Sequence, residues 1–183
     1  MRPMSRFRPL AALLLLLWLI ELVNFILGHR LNTFGLLPRH LAGLPGILLA
    51  PLLHGSFTHL ISNSGGLLAL GGLVALRGER HFVTSTVAIA VLGGILLWVF
   101  GRTALHVGAS GLVFGYFGLL LGRAWFERSA GTLLIGALVI AVYGGLLWGL
   151  LPLQAFVSWD GHLAGLLAGV AVARWHVSAG GRQ

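Results

Sequence analysis

The chain has no cysteine and no lysine, and only four of its 183 residues are acidic. Without cysteine there can be no disulfide, no thiol nucleophile and no cysteine-ligated metal site. Charged residues make up 9% of the sequence, against roughly 25% in a soluble domain. That is too little polar surface to cover a water-soluble globule. All twelve basic side chains are arginines, which give a net charge of +8 and a pI near 11.9. They lie between apolar segments rather than in one patch, so they read as topology signals and not as a nucleic-acid surface. No internal repeat is visible, and the leucine run Leu13–Leu17 is the one low-complexity tract.

What fills the chain instead is apolar: 57% hydrophobic residues and a mean hydropathy of +0.95. Six apolar segments stand out, at Pro9–Leu27, Leu60–Leu76, Phe82–Phe100, Ser110–Trp125, Leu133–Leu151 and His162–Trp175. Several approach the roughly 20 residues that a membrane helix needs. The first follows Arg2, Arg6 and Arg8, is long for a signal-peptide core and lacks a clear small-residue cleavage site after it. It therefore reads as a retained span. The expectation is an all-α membrane protein, one six-helix bundle over residues 1–183, with a basic tail at 1–8 and a short tail at 176–183.

Arginine placement orients the bundle. With the N-terminus inside, nine arginines (2, 6, 8, 77, 80, 123, 128, 174 and 182) are cytoplasmic, and only Arg30, Arg39 and Arg102 are outside. That favours both termini inside. Segments two, four and six, short and rich in glycine, then all enter from the outside. The first loop, about Gly28–Thr58, holds the stretch Leu44–Leu53, too apolar for a solvated loop and too broken by Pro45 and Pro51 for a span. Short helices partly embedded in the outer interface are expected there.

The most informative stretch is His106–Gly115. Gly108, Gly111, Gly115, Gly118 and Gly122 form one small-residue stripe on a helix, along which a neighbour can approach closely. Ser110 stands beside it, and taken alone it describes a packing serine. Elsewhere His59 and Asn63 share one helix face a turn apart, and Gly161, Gly165 and Gly169 form a second small-residue stripe beside His162. In the expected topology the first turns of segments two, four and six are level near the outer face. There Ser110 can reach His162, a nucleophile beside a base.

These pieces, HGSFTHLISN at His54–Asn63, GASGLVFG at Gly108–Gly115 and GHLAGLLAG at Gly161–Gly169, resemble those of rhomboid intramembrane serine proteases of the minimal six-helix bacterial type. The resemblance implies a Ser110–His162 dyad, with His59, Asn63 and the Ser110 backbone N–H stabilising the oxyanion. Phe114 stands where many members stack a tyrosine on the base. It implies cleavage of transmembrane protein substrates near their outer end, after small residues and beside helix breakers, in a bacterial inner membrane. The expected partners are those substrates and membrane lipids, with no cofactor. The alternative is a catalytically inactive rhomboid-like protein that binds or dislocates membrane clients, but such proteins lose the serine or the histidine and this chain has both. The Trp-Arg pair of many first loops is missing. Ala75, with Gly71 before it, replaces an acid often found low in segment two.

The remaining polar residues read as structural. Asp160 lies two residues from His162, and residues two apart on a helix do not face each other, so no triad is expected. His54 reads as a loop or packing histidine before it reads as a catalytic one. His106, just before the serine motif, either caps a loop or touches substrate, the structural role being favoured, and His29, His40, His81 and His176 carry no assignment. Glu21, costly in lipid, must face protein or water. No histidine pair has ligand spacing within one span, which argues against a metal transporter.

Overall fold

A computed structural model describes residues 5–153 and 157–180. Helix α1 spans Arg8–Ile26, α2 Gly46–Leu49, α3 Phe57–Gly66 and α4 Gly72–Ala75, the last two joined by a π turn at Leu67–Gly71. Helices α5 (Glu79–Phe100), α6 (Ser110–Glu127), α7 (Ala130–Tyr143) and α8 (Trp159–Gly180) complete the bundle. Among the described residues there is no strand, only an isolated antiparallel bridge between Leu36 and His106.

Six helical stretches therefore follow the six apolar segments. Four of them, Ser5–Ile26, Phe57–Ala75, Glu79–Phe100 and Ala130–Leu150, are long and apolar enough to cross a membrane. Their outward faces carry leucine, isoleucine and valine, among them Leu15, Leu19, Val87, Leu134 and Ile140. Broad apolar surface of this kind belongs against lipid, as in a multi-pass membrane protein.

Two segment limits differ from expectation. Helix α8 runs on to Gly180, taking in most of the stretch read as a tail. The fifth segment is not one α-helix: α7 stops at Tyr143 and continues as a 3-10 helix over Gly144–Leu150. Three glycines in that stretch lower its helix propensity, and Pro152 closes it.

Helix α6 is the axis of the bundle. Tyr116, Phe117 and Leu119 on it are fully buried, packed with Phe82 from α5 and with Leu67 and Leu70 from the π turn between α3 and α4. Its closest neighbour is α8. A Cβ at Gly165 would fall on the Gly111 carbonyl oxygen, and one at Gly169 on that of Gly115. The two stripes of small residues thus meet backbone to backbone. On another side α3 closes on α6 at Gly66, which lies against Val113.

The first loop is a chain of short helices, as its prolines suggested: Arg30–Phe34, Leu41–Gly43, α2 and Ala50–Leu52. It is strapped to the end of α5 and to the segment that leads into α6. Leu36 and His106 exchange backbone hydrogen bonds of 3.0 and 2.8 Å, and the Arg39 N–H donates to the Trp98 carbonyl at 3.0 Å. The Arg39 guanidinium adds bonds to the Val99 and Gly101 carbonyls.

Candidate active site

Ser110 is the first residue of α6, reached through Gly108 with φ of +122°. A side chain there would be strained, and its Cβ would sit 2.6 Å from His59 Cε1. The seam between α6 and α8 sets Ser110 opposite His162. Ser110 Oγ lies 2.9 Å from His162 Nε2, and His162 Nδ1 lies 2.8 Å from the Gly149 carbonyl oxygen. A carbonyl can only accept, so the ring proton is on Nδ1. Nε2 then offers its lone pair, and the Ser110 hydroxyl donates to it. Phe114, one turn along α6, stacks on the imidazole with centroids 4.1 Å apart and planes 8° from parallel. The histidine is thus held by a hydrogen bond at one edge and a ring across its face.

Helix α3 supplies the other wall. Ser56 caps it, its Oγ accepting from the His59 N–H at 3.2 Å. His59 and Asn63 line a cavity of about 520 Å³ together with Ser110, Phe114 and His162. Asn63 Nδ2 is buried with no hydrogen-bond partner among the described residues. A buried donor left unpaired costs about 1–3 kcal/mol. Here it is held beside Gly108 and next to the serine.

His54 lies in the loop just before α3 and is fully buried. Its Nε2 accepts from the Ala109 N–H at 3.4 Å, and its ring meets His59 edge-on at 5.1 Å. Burial, with His59 adding to it, pushes the His54 imidazole down to about 4, so it is neutral near pH 7 and free to accept.

Asp160 makes its contacts with residues other than Ser110 and His162. It accepts from the Arg102 N–H at 2.9 Å and from Ser158 Oγ at 3.3 Å, and it sits 3.7 Å from His106 Nε2. His106 in turn bonds Ser158 Oγ at 2.7 Å. This cluster, which also includes a bond from the Arg102 guanidinium to the Val157 carbonyl, ties the loop before α6 to the start of α8. Glu21 is fully buried and faces His29, at 3.2 Å, with Asn24 beside it. His81 and His176 pair near the other end of the bundle, 4.4 Å between ring centroids. No group of three potential metal ligands occurs among the described residues.

Sequence reasoning missed Gly149, whose contribution is a backbone carbonyl, and the Asn24–Asn32–His54 contacts described below. The break of α7 at Gly144-Gly145 was the available signal for the first. For the second, a glutamate and an asparagine one turn apart in an otherwise apolar helix were signal enough.

A 42% identical relative, an uncharacterised protein of Mycobacterium tuberculosis, aligns over 167 residues, covering 86% of this chain and 70% of that protein. An uncharacterised Mycobacterium leprae protein is 38% identical over the same length, covering 86% of this chain and 66% of its own. RHOMBOID-like protein 4 of Arabidopsis thaliana is 34% identical over 128 residues, 64% of this chain and 31% of that protein. The Rhomboid domain model matches residues 41–178, which take in the first loop from Leu41 onward, α3 to α7 and the whole Ser110–His162 pairing. With three quarters of its length in that match, the chain belongs to the rhomboid family.

Proposed function

We propose that the chain is an intramembrane serine endopeptidase that cuts transmembrane segments of membrane proteins near the extracytoplasmic face. The observation that carries this reading is the 2.9 Å bond between Ser110 Oγ and His162 Nε2, with the imidazole tautomer set by Gly149. Ser110 is the nucleophile. As its oxygen adds to the scissile carbonyl, His162 takes the hydroxyl proton and later gives it to the leaving amine. Water then enters from the outer side and adds to the acyl carbonyl, losing a proton to His162, which passes it to Ser110 Oγ as the acyl group leaves as a carboxylic acid. The Ser110 N–H, at the start of α6, has no helical acceptor. With His59 and Asn63 it donates to the oxyanion. Phe114 keeps the imidazole plane aligned through both proton transfers.

The bundle crosses a bacterial inner membrane six times with both termini inside, a topology supported by nine arginines against three. Helix α6 needs no fully apolar surface, because the other stretches surround it, and α8 meets lipid along one face at Leu163, Leu167 and Trp175. A substrate helix arriving from lipid has its carbonyls locked in internal bonds and must unwind before Ser110 can attack. Cleavage is therefore expected after a small residue such as alanine, with glycine or proline just downstream.

The test is cleavage of a membrane-anchored reporter by the wild type, Ser110→Ala, His162→Ala and the double mutant. Because the pair acts as a unit, each single loss should cost roughly 10⁴-fold or more and the double mutant little beyond it. A folded His162→Ala protein that keeps most of its activity would require another base. A wild type that binds the reporter without cutting it would make the chain a client-binding relative instead.

A further inference from the structure

Helix α1 is leucine-rich and takes no direct part in the site, yet two polar residues on it, Glu21 and Asn24, are completely buried. Apolar residues, leucine foremost, make up nearly all the rest of that helix and would pack there at lower cost than a polar pair. The pair is fully engaged. Asn24 Nδ2 lies 3.0 Å from Asn32 Oδ1, 3.2 Å from the His54 carbonyl oxygen and 3.4 Å from Glu21 Oε2. Asn24 Oδ1 accepts from the Leu31 N–H at 3.1 Å. Asn32 Nδ2 also donates to the His54 carbonyl, at 3.0 Å. Glu21 is held at its other oxygen by His29, where Gly28 and His29 make a left-handed turn (φ 61° and 59°) that folds the loop back onto α1.

Two amides from separate segments thus converge on one carbonyl, that of His54. The His54 ring in turn receives the Ala109 N–H and bears on His59. Ala109 is the residue before Ser110, so the peptide whose N–H would face the oxyanion is the next one along the chain. Resting on the protease reading above, we infer that Asn24, its amide oriented by Glu21, is a positioning residue: it fixes His54 and thereby the aim of the Ser110 N–H and His59. Misplacement of such donors by about 1 Å costs roughly 10²-fold in rate.

The experiment uses the full-length protein in lipid vesicles, with kcat and KM for a membrane-anchored reporter measured alongside thermal unfolding. Asn24→Ala and Glu21→Leu should each lower kcat about tenfold to hundredfold and leave KM within about twofold. Glu21→Gln keeps an acceptor for the Asn24 amide and should recover most of what Glu21→Leu loses. In a His54→Ala background, Asn24→Ala should cause no further loss. A full additive loss there, or an unchanged kcat in folded Asn24→Ala, overturns the inference. If Asn24→Ala does not fold, Asn32→Ala on the half-buried loop should give a smaller drop with the same non-additivity, and an additive or absent effect overturns it equally. A wild type that neither cleaves nor reacts at Ser110 with a fluorophosphonate defeats the protease reading. The positioning role is then read from nitrogen-15 NMR of the histidine rings. A shift of His54 and His59 in Asn24→Ala or Asn32→Ala supports it, and unmoved resonances refute it.

Discussion

The seam between α6 and α8 and the flank formed by α7 are built on opposite terms. Along the seam, glycines bring backbone against backbone, and α6 buries most of its length. Helix α7 buries only Thr132, Gly136 and Val139, while Leu134 is 63% exposed. Each of the two regions nevertheless holds one side of the same imidazole. The seam carries Ser110, Phe114 and His162 itself, whereas the acceptor for Nδ1 comes from the 3-10 continuation of α7. The difference teaches that the Ser110–His162 spacing is set where side chains cannot rearrange, and the imidazole tautomer on a flank that buries little of itself.

The harshest way to break this comparison is to thicken the seam. Gly169→Leu places carbon on the Gly115 carbonyl, and backbone cannot step aside as a side chain can. Overpacking costs typically about 1–3 kcal/mol and occasionally more, and here the upper end is expected, with cleavage lost. Leu134→Ala on α7 should stay within about 0.5 kcal/mol. Thermal melts of equal depth for the two variants would erase the distinction.

Acid tests whether the rigid region extends to the first loop. His54 titrates near 6.5 in the unfolded chain and at about 4 in the folded one, so the unfolded state binds the extra proton between those values. Stability therefore rises with pH across that window and falls on acidification, by about 3 kcal/mol in all for this group. His54→Gln should flatten the stability profile between pH 4 and 6.5 relative to wild type. An unchanged slope would mean that another group governs acid sensitivity.

Gly149→Val sharpens the contrast on the flank. Its Cβ would lie 2.9 Å from Phe114 Cζ and 3.3 Å from His162 Nδ1, displacing the acceptor while leaving the seam intact. Turnover should drop about tenfold to hundredfold with little change in melting temperature. The smallest effect is expected for Phe114→Leu, which removes a stack worth about 0.5–1.5 kcal/mol, or roughly tenfold in kcat at most. A larger loss there would mean that the ring, and not the Gly149 carbonyl, chiefly orients the base.

Periodicity along single segments carried much of this structure. The stripes Gly111–Gly115 and Gly165–Gly169 are visible in sequence because small residues recur on one helix face, and they do meet. His59 and Asn63 share a face for the same local reason. Pairings across elements left no such trace. Glu21 finds His29 only because the chain reverses in a left-handed turn at Gly28, and nothing in the spacing announces that turn. Asp160 sits beside His162 in sequence, but its partners Arg102 and His106 arrive from a different loop. The Gly149 carbonyl is invisible to side-chain reasoning altogether.

The glycine seam has a consequence for handling the protein outside its membrane. Contacts between bare backbones freeze no rotamers and draw their strength from dispersion, not from the expulsion of water. Such contacts depend little on whether lipid tails or detergent tails surround them. Ser110 and His162 should therefore keep their spacing in a micelle. The exposed leucines of α7, whose packing partner is the lipid itself, will register a change of solvent first, so on the proposed protease reading the choice of detergent should alter turnover through the Gly149 carbonyl before it disturbs Ser110.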